Sequence, residues 1–295
     1  MLYLGPEATL SALIVEPEHS LIRQSVHSKE REEPLNGDGF GIGWYASEHN
    51  AEPAVFRSIT PAWNNRNLQN LARVVASDCV LAHVRAATQS SGVNDANCHP
   101  FRWRQYLCMH NGDVANFRVV RRKLLETVCD EAFSNVYGST DSEHFFALFI
   151  DSLLGLDETD PALRMAHALA RSISRALDLV RTTGAGSDSY LNVAISDGEH
   201  AVVSRFTDEV GGVPESLYYF SGQLYPDVGP NARRKGTQAV IVSSERLTAD
   251  VGWVEVPPGQ IIILRRDRAP QFVDARTARP LAPPAGARAA GKSAA

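Results

Sequence analysis

Thr140-Asp141-Ser142-Glu143-His144-Phe145-Phe146-Ala147-Leu148-Phe149 opens the middle of this chain with a helix. Thr140-x-x-Glu143 has the spacing of a capping box, and Phe145, Phe146, Leu148, Phe149 and Leu153 follow as the apolar content of that helix. A second helix is predicted from Asp160-Pro161, an N-cap followed by proline in the first turn. Leu163, Ala166, Ala170, Ile173, Leu177 and Val180 then recur at helical spacing until Gly184 and Gly186 punctuate the end.

Outward from this helical pair, both flanks read as extended chain. Ahead of it, residues 1 to about 56 form short strands and loops, with a Gly-rich run at 37–43 leading into Trp44-Tyr45. Residues 64–75 have helical character, because Leu68, Leu71 and Val75 recur at three- and four-residue spacing. Residues 80–84 and 106–109 are short apolar segments bounded by loop residues and are predicted to be buried strands. A basic helix is expected over 114–129, with Arg118, Arg121, Arg122 and Lys123 outward. After the helical pair, residues 191–196, 201–206, 217–220, 238–243 and 261–264 read as consecutive strands. Strands before and after a helical block, with no βαβ alternation, predict an α+β fold with largely antiparallel sheets. One domain is expected over 1–275, followed by a disordered Ala/Pro/Gly-rich tail over 276–295.

The bulk composition narrows the function classes. The chain has 295 residues, 44% hydrophobic and 21% charged, as ordinary globular proteins do. A formal net charge of −5 provides no footprint for nucleic acid or an anionic membrane. The apolar stretches are too short to span a bilayer, and no basic n-region with an apolar core begins the chain. The cysteines Cys79, Cys98, Cys108 and Cys129 lack the spacing of a disulfide scaffold, which points to a reduced cytosolic compartment. They lie near His83, His99 and His110, but strand residues four apart are separated by roughly 13 Å, too far to share one zinc ion. No metal or cofactor is expected.

Three polar clusters fall where structure changes: His83-Val84-Arg85-Ala86-Ala87-Thr88, His110-Asn111-Gly112-Asp113 and Ser139-Thr140-Asp141-Ser142-Glu143. Arg85 follows a strand and shares its face with His83. Its guanidinium can grip a carboxylate, although a structural ion pair is the alternative for an arginine at a sheet edge. Asn111-Gly112 can converge an amide donor and a backbone N–H on one point, or can simply be a hairpin turn. No matching strand is expected immediately after it, since residues from Val114 lead into the basic helical pattern. Asp141 lies in the first turn of a helix, where a carboxylate is favourable with or without a ligand.

With the loop Asn36-Gly37-Asp38-Gly39-Phe40-Gly41, these clusters resemble the class II glutamine amidotransferases, which are N-terminal-nucleophile hydrolases. Pro61-Ala62-Trp63, Asn97-Cys98-His99-Pro100-Phe101, Ser243-Ser244-Glu245 and Val256-Pro257-Pro258-Gly259 extend the likeness over about 1–270, toward the stand-alone branch related to glutathione-degrading subunits. The resemblance implies a four-layer αββα sandwich and a small-molecule substrate, glutamine or a γ-glutamyl compound. It places the glutamine α-carboxylate on Arg85, with Thr88 adding a hydroxyl contact, and the α-ammonium on Asp141. It places the oxyanion hole on Asn111 and Gly112 and the Gly-rich loop at the border of the site. His110 is read as a buttress of the turn, not a base, and is counted with Arg85, Thr88 and Asp141 among the substrate-binding residues.

The family's nucleophile is a cysteine directly after the initiator methionine, and here Leu2 follows Met1. Its thiol attacks the γ-amide carbon while its own α-amine serves as base. Family members begin Met-Cys-Arg, then three mostly apolar residues, then an aromatic residue, an apolar residue and glycine. Tyr3-Leu4-Gly5 matches the last part of that pattern, so a start about four residues earlier with Met-Cys is expected. Two readings follow: a γ-glutamyl amide hydrolase, or a catalytically silent γ-glutamyl-binding subunit of a larger complex.

Overall fold

The computed structural model describes residues 1–30, 34–86, 94–184, 187–222, 238–266 and 268–284. Strand β1 (Leu2–Thr9) leads into helices α1 (Leu10–Ile14) and α2 (Leu21–Val26), whose N-termini are capped by the hydroxyls of Thr9 and Ser20. Strands β2 (Phe40–Trp44) and β3 (Ala54–Ser58), helix α3 (Arg66–Ala72) and strand β4 (Ala76–Val84) follow. Next come β5 (Phe101–Trp103), β6 (Tyr106–Asp113) and helices α4 (Phe117–Glu126), α5 (Asp130–Ser134), α6 (Asp141–Leu154) and α7 (Pro161–Arg181). The remaining strands are β7 (Tyr190–Ser196), β8 (His200–Arg205), β9 (Tyr218–Gly222), β10 (Ala239–Ser243), β11 (Trp253–Glu255), β12 (Gln260–Arg265), β13 (Arg268–Asp274) and β14 (Pro280–Leu281).

These strands form two seven-stranded sheets, β11-β9-β10-β1-β4-β2-β3 and β14-β13-β12-β8-β7-β6-β5. Neighbouring strands pair antiparallel throughout. Side-chain alternation sorts the core into three apolar layers. Leu2, Leu4, Cys79 and Leu81 of the first sheet meet Leu107, Met109, Val203 and Ile262 of the second between the sheets. Tyr3, Ile42 and Val80 point the other way, against Leu10, Leu13 and Leu68 of the short helices. Cys108, Val193 and Ile195 pack under Phe145, Phe149 and Ile173 of α6 and α7. The result is the four-layer αββα sandwich that the family resemblance implies, built from antiparallel sheets as the order of elements predicts.

Several local expectations change. The segment 1–56 contains α1 and α2, each too short to show a helical period. Helix α4 starts at Phe117, after Asn116 in a left-handed conformation at φ 51°, not at 114. Strand β6 does not end at 109: it runs through Asn111-Gly112, which pair with Asn192 and Leu191 of β7. The capping box at α6 is half realised, because Thr140 Oγ1 accepts from the Glu143 amide while the Glu143 carboxylate turns away to the amides of Tyr137 and Gly138. The tail expected from 276 is structured at its beginning, where Pro280–Leu281 pairs with Val273 and Phe272; residues 285–295 lie outside the described residues.

Candidate active site

Arg85 stands just beyond β4, on the inter-sheet face it shares with Leu81 and His83. The Gly-rich loop prolongs the pairing there: the Arg85 amide donates to the Gly39 carbonyl, and the Asp38 amide to the Arg85 carbonyl, both at 2.9 Å. The loop therefore holds the backbone of Arg85, while none of residues 36–43 lines the cavity described below. Its glycines serve packing against the chain at 98–100. A Cβ on Gly41 would lie 2.0 Å from the His99 carbonyl oxygen, and one on Gly39 would meet the Ser58 carbonyl oxygen and the Cys98 sulfur.

Asn111 faces the same inter-sheet space from the second sheet, because it alternates with Leu107 and Met109. Gly112 has φ 133°, and a Cβ there would lie 1.9 Å from the Tyr190 carbonyl oxygen. Glycine is thus required by the β6–β7 pairing itself. His110 points to the opposite face, where its ring stacks on Phe145 and bonds Ser142 Oγ and the Tyr190 carbonyl oxygen, each at 3.0 Å. It joins β6, α6 and β7.

Asp141 is the first residue of α6. Its carboxylate accepts from the Val114 amide at 2.8 Å and from the Ser142 amide at 2.9 Å, so it also ties the end of β6 to the helix start. The turn before it is held by Asn97, a fully buried residue whose Oδ1 accepts from the Ser139 amide and whose Nδ2 donates to Ser139 Oγ. That bond explains why the 97–101 motif belongs with the site.

Arg85, His110, Asn111, Gly112 and Asp141 line one open cavity of about 870 Å³. Thr88 lies outside the described residues. The wall also includes residues that sequence reasoning assigned elsewhere or passed over: His99, Asp113, Ser139, and Arg118 and Arg121 of α4, two of the arginines expected simply to face outward. Burial, and then the nearby Asp141 charge, push the Asp113 carboxyl above its usual range. Burial, and then the neighbouring His83, His110, Arg85 and Arg57, hold the His99 imidazole well below its ordinary value. The described residues bring together no group of three or more His, Cys, Asp or Glu able to hold a metal, and none of their helices is long and apolar enough to cross a membrane.

Opposite charges on separate elements, with an amide donor between them, fit recognition of an amino acid by both ends. Comparison with known proteins places the chain in a family. The profile of class-II glutamine amidotransferases matches residues 20–285, and the chain belongs to that family. It is 38% identical to the probable glutamine amidotransferase DUG3 of Saccharomyces cerevisiae, over 87% of this chain and 78% of that protein. It is 31% identical to the gamma-glutamyl-hercynylcysteine sulfoxide hydrolase of Mycolicibacterium smegmatis, over 89% of this chain and 93% of that one. The solved structure of a glutamine aminotransferase class-II domain protein from Silicibacter pomeroyi superposes with a TM-score of 0.65 at 28% identity, covering 92% of this chain and 97% of that one. Glutamine phosphoribosylpyrophosphate amidotransferase from B. subtilis shares the fold at 16% identity and a TM-score of 0.52, covering 93% of this chain and 48% of that one.

Proposed function

We propose that this protein is a hydrolase of γ-glutamyl amides, acting on glutamine or a γ-glutamyl peptide through a cysteine placed ahead of Met1. The observation that carries this reading is the convergence of Arg85, Asn111, Gly112 and Asp141 on one cavity from two sheets and a helix. In the proposed site Arg85 grips the α-carboxylate, Asp141 pairs with the α-ammonium, and Asn111 with the Gly112 amide receives the charge that develops on the γ-carbonyl oxygen. At about 870 Å³ the cavity falls within the ~300–1,000 Å³ of sites that hold drug-sized ligands, so a γ-glutamyl peptide fits the size as well as glutamine.

Strand register supports the place of the nucleophile. Leu2 pairs with Leu81, and Met1 and Ala82 exchange both backbone hydrogen bonds, at 2.8 and 2.9 Å. Continuing that register, a residue three positions ahead of Met1 falls opposite Arg85. By alternation it shares the inter-sheet face of Leu2 and Leu4. The family's Met-Cys-Arg opening, aligned on Tyr3-Leu4-Gly5, puts its cysteine at that position. Once the initiator methionine is removed, that cysteine is the N-terminal residue: its thiol would give its proton to its own free α-amine and attack the γ-carbon, ammonia or an amine would leave carrying that proton, and water would then cleave the thioester to glutamate and free the thiol. A reduced, cytoplasmic location agrees with the four free cysteines, three of them buried.

The test compares the chain from Met1 with one extended by Met-Cys-Arg and one apolar residue, shown by mass spectrometry to have lost the added methionine and to begin at the cysteine. The extended chain is expected to release ammonia from glutamine, or amino acid from a γ-glutamyl peptide, and to lose that activity when its cysteine becomes alanine. The chain from Met1 is expected to be inactive. No turnover by the extended chain on either substrate would favour the silent binding subunit.

A further inference from the structure

We propose that His99 is an additional substrate-binding residue, whose ring N–H donates to the α-carboxylate held by Arg85 and makes the site selective for amides that keep that carboxylate. The proposal rests on the γ-glutamyl reading above.

His99 lines the cavity and is only 5% exposed, yet neither of its ring nitrogens has a hydrogen-bond partner among the described residues. Buried polar atoms in folded proteins are nearly always satisfied, so such a ring calls for an explanation. The neighbouring buried histidines follow the rule: His110 bonds Ser142 and Tyr190, and His144 bonds the Thr140 carbonyl and Arg121.

The position of the ring is enforced. Its carbonyl lies where Gly41 leaves no Cβ, and Gly41 pairs with His83 across β2 and β4. The His99 ring then packs 4.4 Å from the His83 ring and 4.6 Å from the Phe101 ring, between centroids. Arg85 is two residues beyond His83 on the same face, and His99 and Arg85 both line the cavity.

Chemistry selects the ligand. Burial, and then His83, His110, Arg85 and Arg57, disfavour a proton on His99, so the imidazole is neutral with one donor and one acceptor nitrogen. A carboxylate offers about four acceptor sites, of which a bidentate arginine fills two. The donor nitrogen of His99 can take a third. An anion arriving beside this ring is also favoured by the positive charges of Arg85 and Arg57.

The test uses the chain from Met1, L-glutamine, and 4-aminobutanamide, which is glutamine without its α-carboxylate. His99→Phe keeps the ring packing and removes both nitrogens; His99→Gln restores a donor. By NMR titration, His99→Phe should weaken glutamine binding roughly tenfold or more and leave 4-aminobutanamide unchanged, and His99→Gln should recover most of the loss. Unchanged glutamine affinity in His99→Phe, or equal losses for both ligands, overturns the proposal. If His99→Phe does not fold, the ring nitrogen resonances of His99 in the parent decide. They should shift with glutamine and not with 4-aminobutanamide, and no shift with bound glutamine overturns the assignment. A parent that binds neither glutamine nor a γ-glutamyl peptide overturns the γ-glutamyl reading and this proposal with it.

Discussion

Asp141 does two things at once, and its substitution must separate them. Its carboxylate holds the Val114 and Ser142 amides and also faces the cavity. Truncation to alanine would untie the end of β6 as well as remove the charge, whereas Asp141→Asn keeps one acceptor oxygen. With that variant, glutamine binding measured by calorimetry should fall at least tenfold, about 1.4 kcal/mol, while the thermal midpoint moves by no more than a few degrees. Equal affinity would leave Asp141 as a helix-start residue only. At this scale Arg85 and Asp141 stand out in the sequence because each is a charged residue where an element ends or begins, whereas Asn111-Gly112 stands out as a dipeptide read as the end of β6, a place the ladder does not give it. His99 does not stand out, since nothing local in Cys98-His99-Pro100 tells whether a buried ring finds partners; that depends on β2 and β4, far away in the chain. Arg118 and Arg121 were assigned outward from helical spacing alone, which cannot show that the outward side of α4 borders a cavity.

Strand β6 shows how one dipeptide can mislead and inform together. Asn-Gly reads as a turn, but here both residues stay in the ladder, and the positive φ of Gly112 lets the Tyr190 carbonyl approach. Gly112→Ala should therefore destabilise the protein by at least ~1–3 kcal/mol from backbone strain, before the clash with Tyr190 is added. Chemical denaturation would measure it, and an unchanged midpoint would contradict the geometry. The segment after α2 is held differently. Glu245, from the Ser243-Ser244-Glu245 motif, accepts from Ser28 Oγ and from the Lys29 and Glu30 amides, and its other oxygen pairs with the His19 ring. Burial pushes its carboxyl up, but the bonds from Ser28, His19, Lys29 and Glu30 outweigh it and hold the group below its ordinary 4.5. A depressed acid stabilises the fold above its unfolded value, and that stability is lost as pH falls through the folded value. Stability of the parent should accordingly drop below about pH 5 more steeply than that of Glu245→Gln. Parallel urea midpoints across that range would sink this account of Glu245. The capping residues Thr140 and Asp160 could be read directly from the sequence because an N-cap is a local bond; the true partners of Glu143 could not.

In the whole molecule, two sheets face each other so that alternate residues of β4 and β6 share one interior, and the site lies where that interior opens beside α6. The order of strands and helices along the chain was enough for an α+β fold with antiparallel sheets. The strand order was not. Strand β1 pairs with β10, more than two hundred residues away, and no periodicity in either segment encodes that partnership. The same pairing puts the start of the chain between β4 and β10, where the register toward Arg85 can be counted. The account stands most directly on a crystal structure of the chain from Met1 with L-glutamine. It predicts the α-carboxylate on Arg85, the α-ammonium on Asp141, and the γ-carbonyl oxygen at Asn111 and the Gly112 amide. Glutamine bound in another cavity, or in this one with its γ-amide away from Asn111, would contradict it.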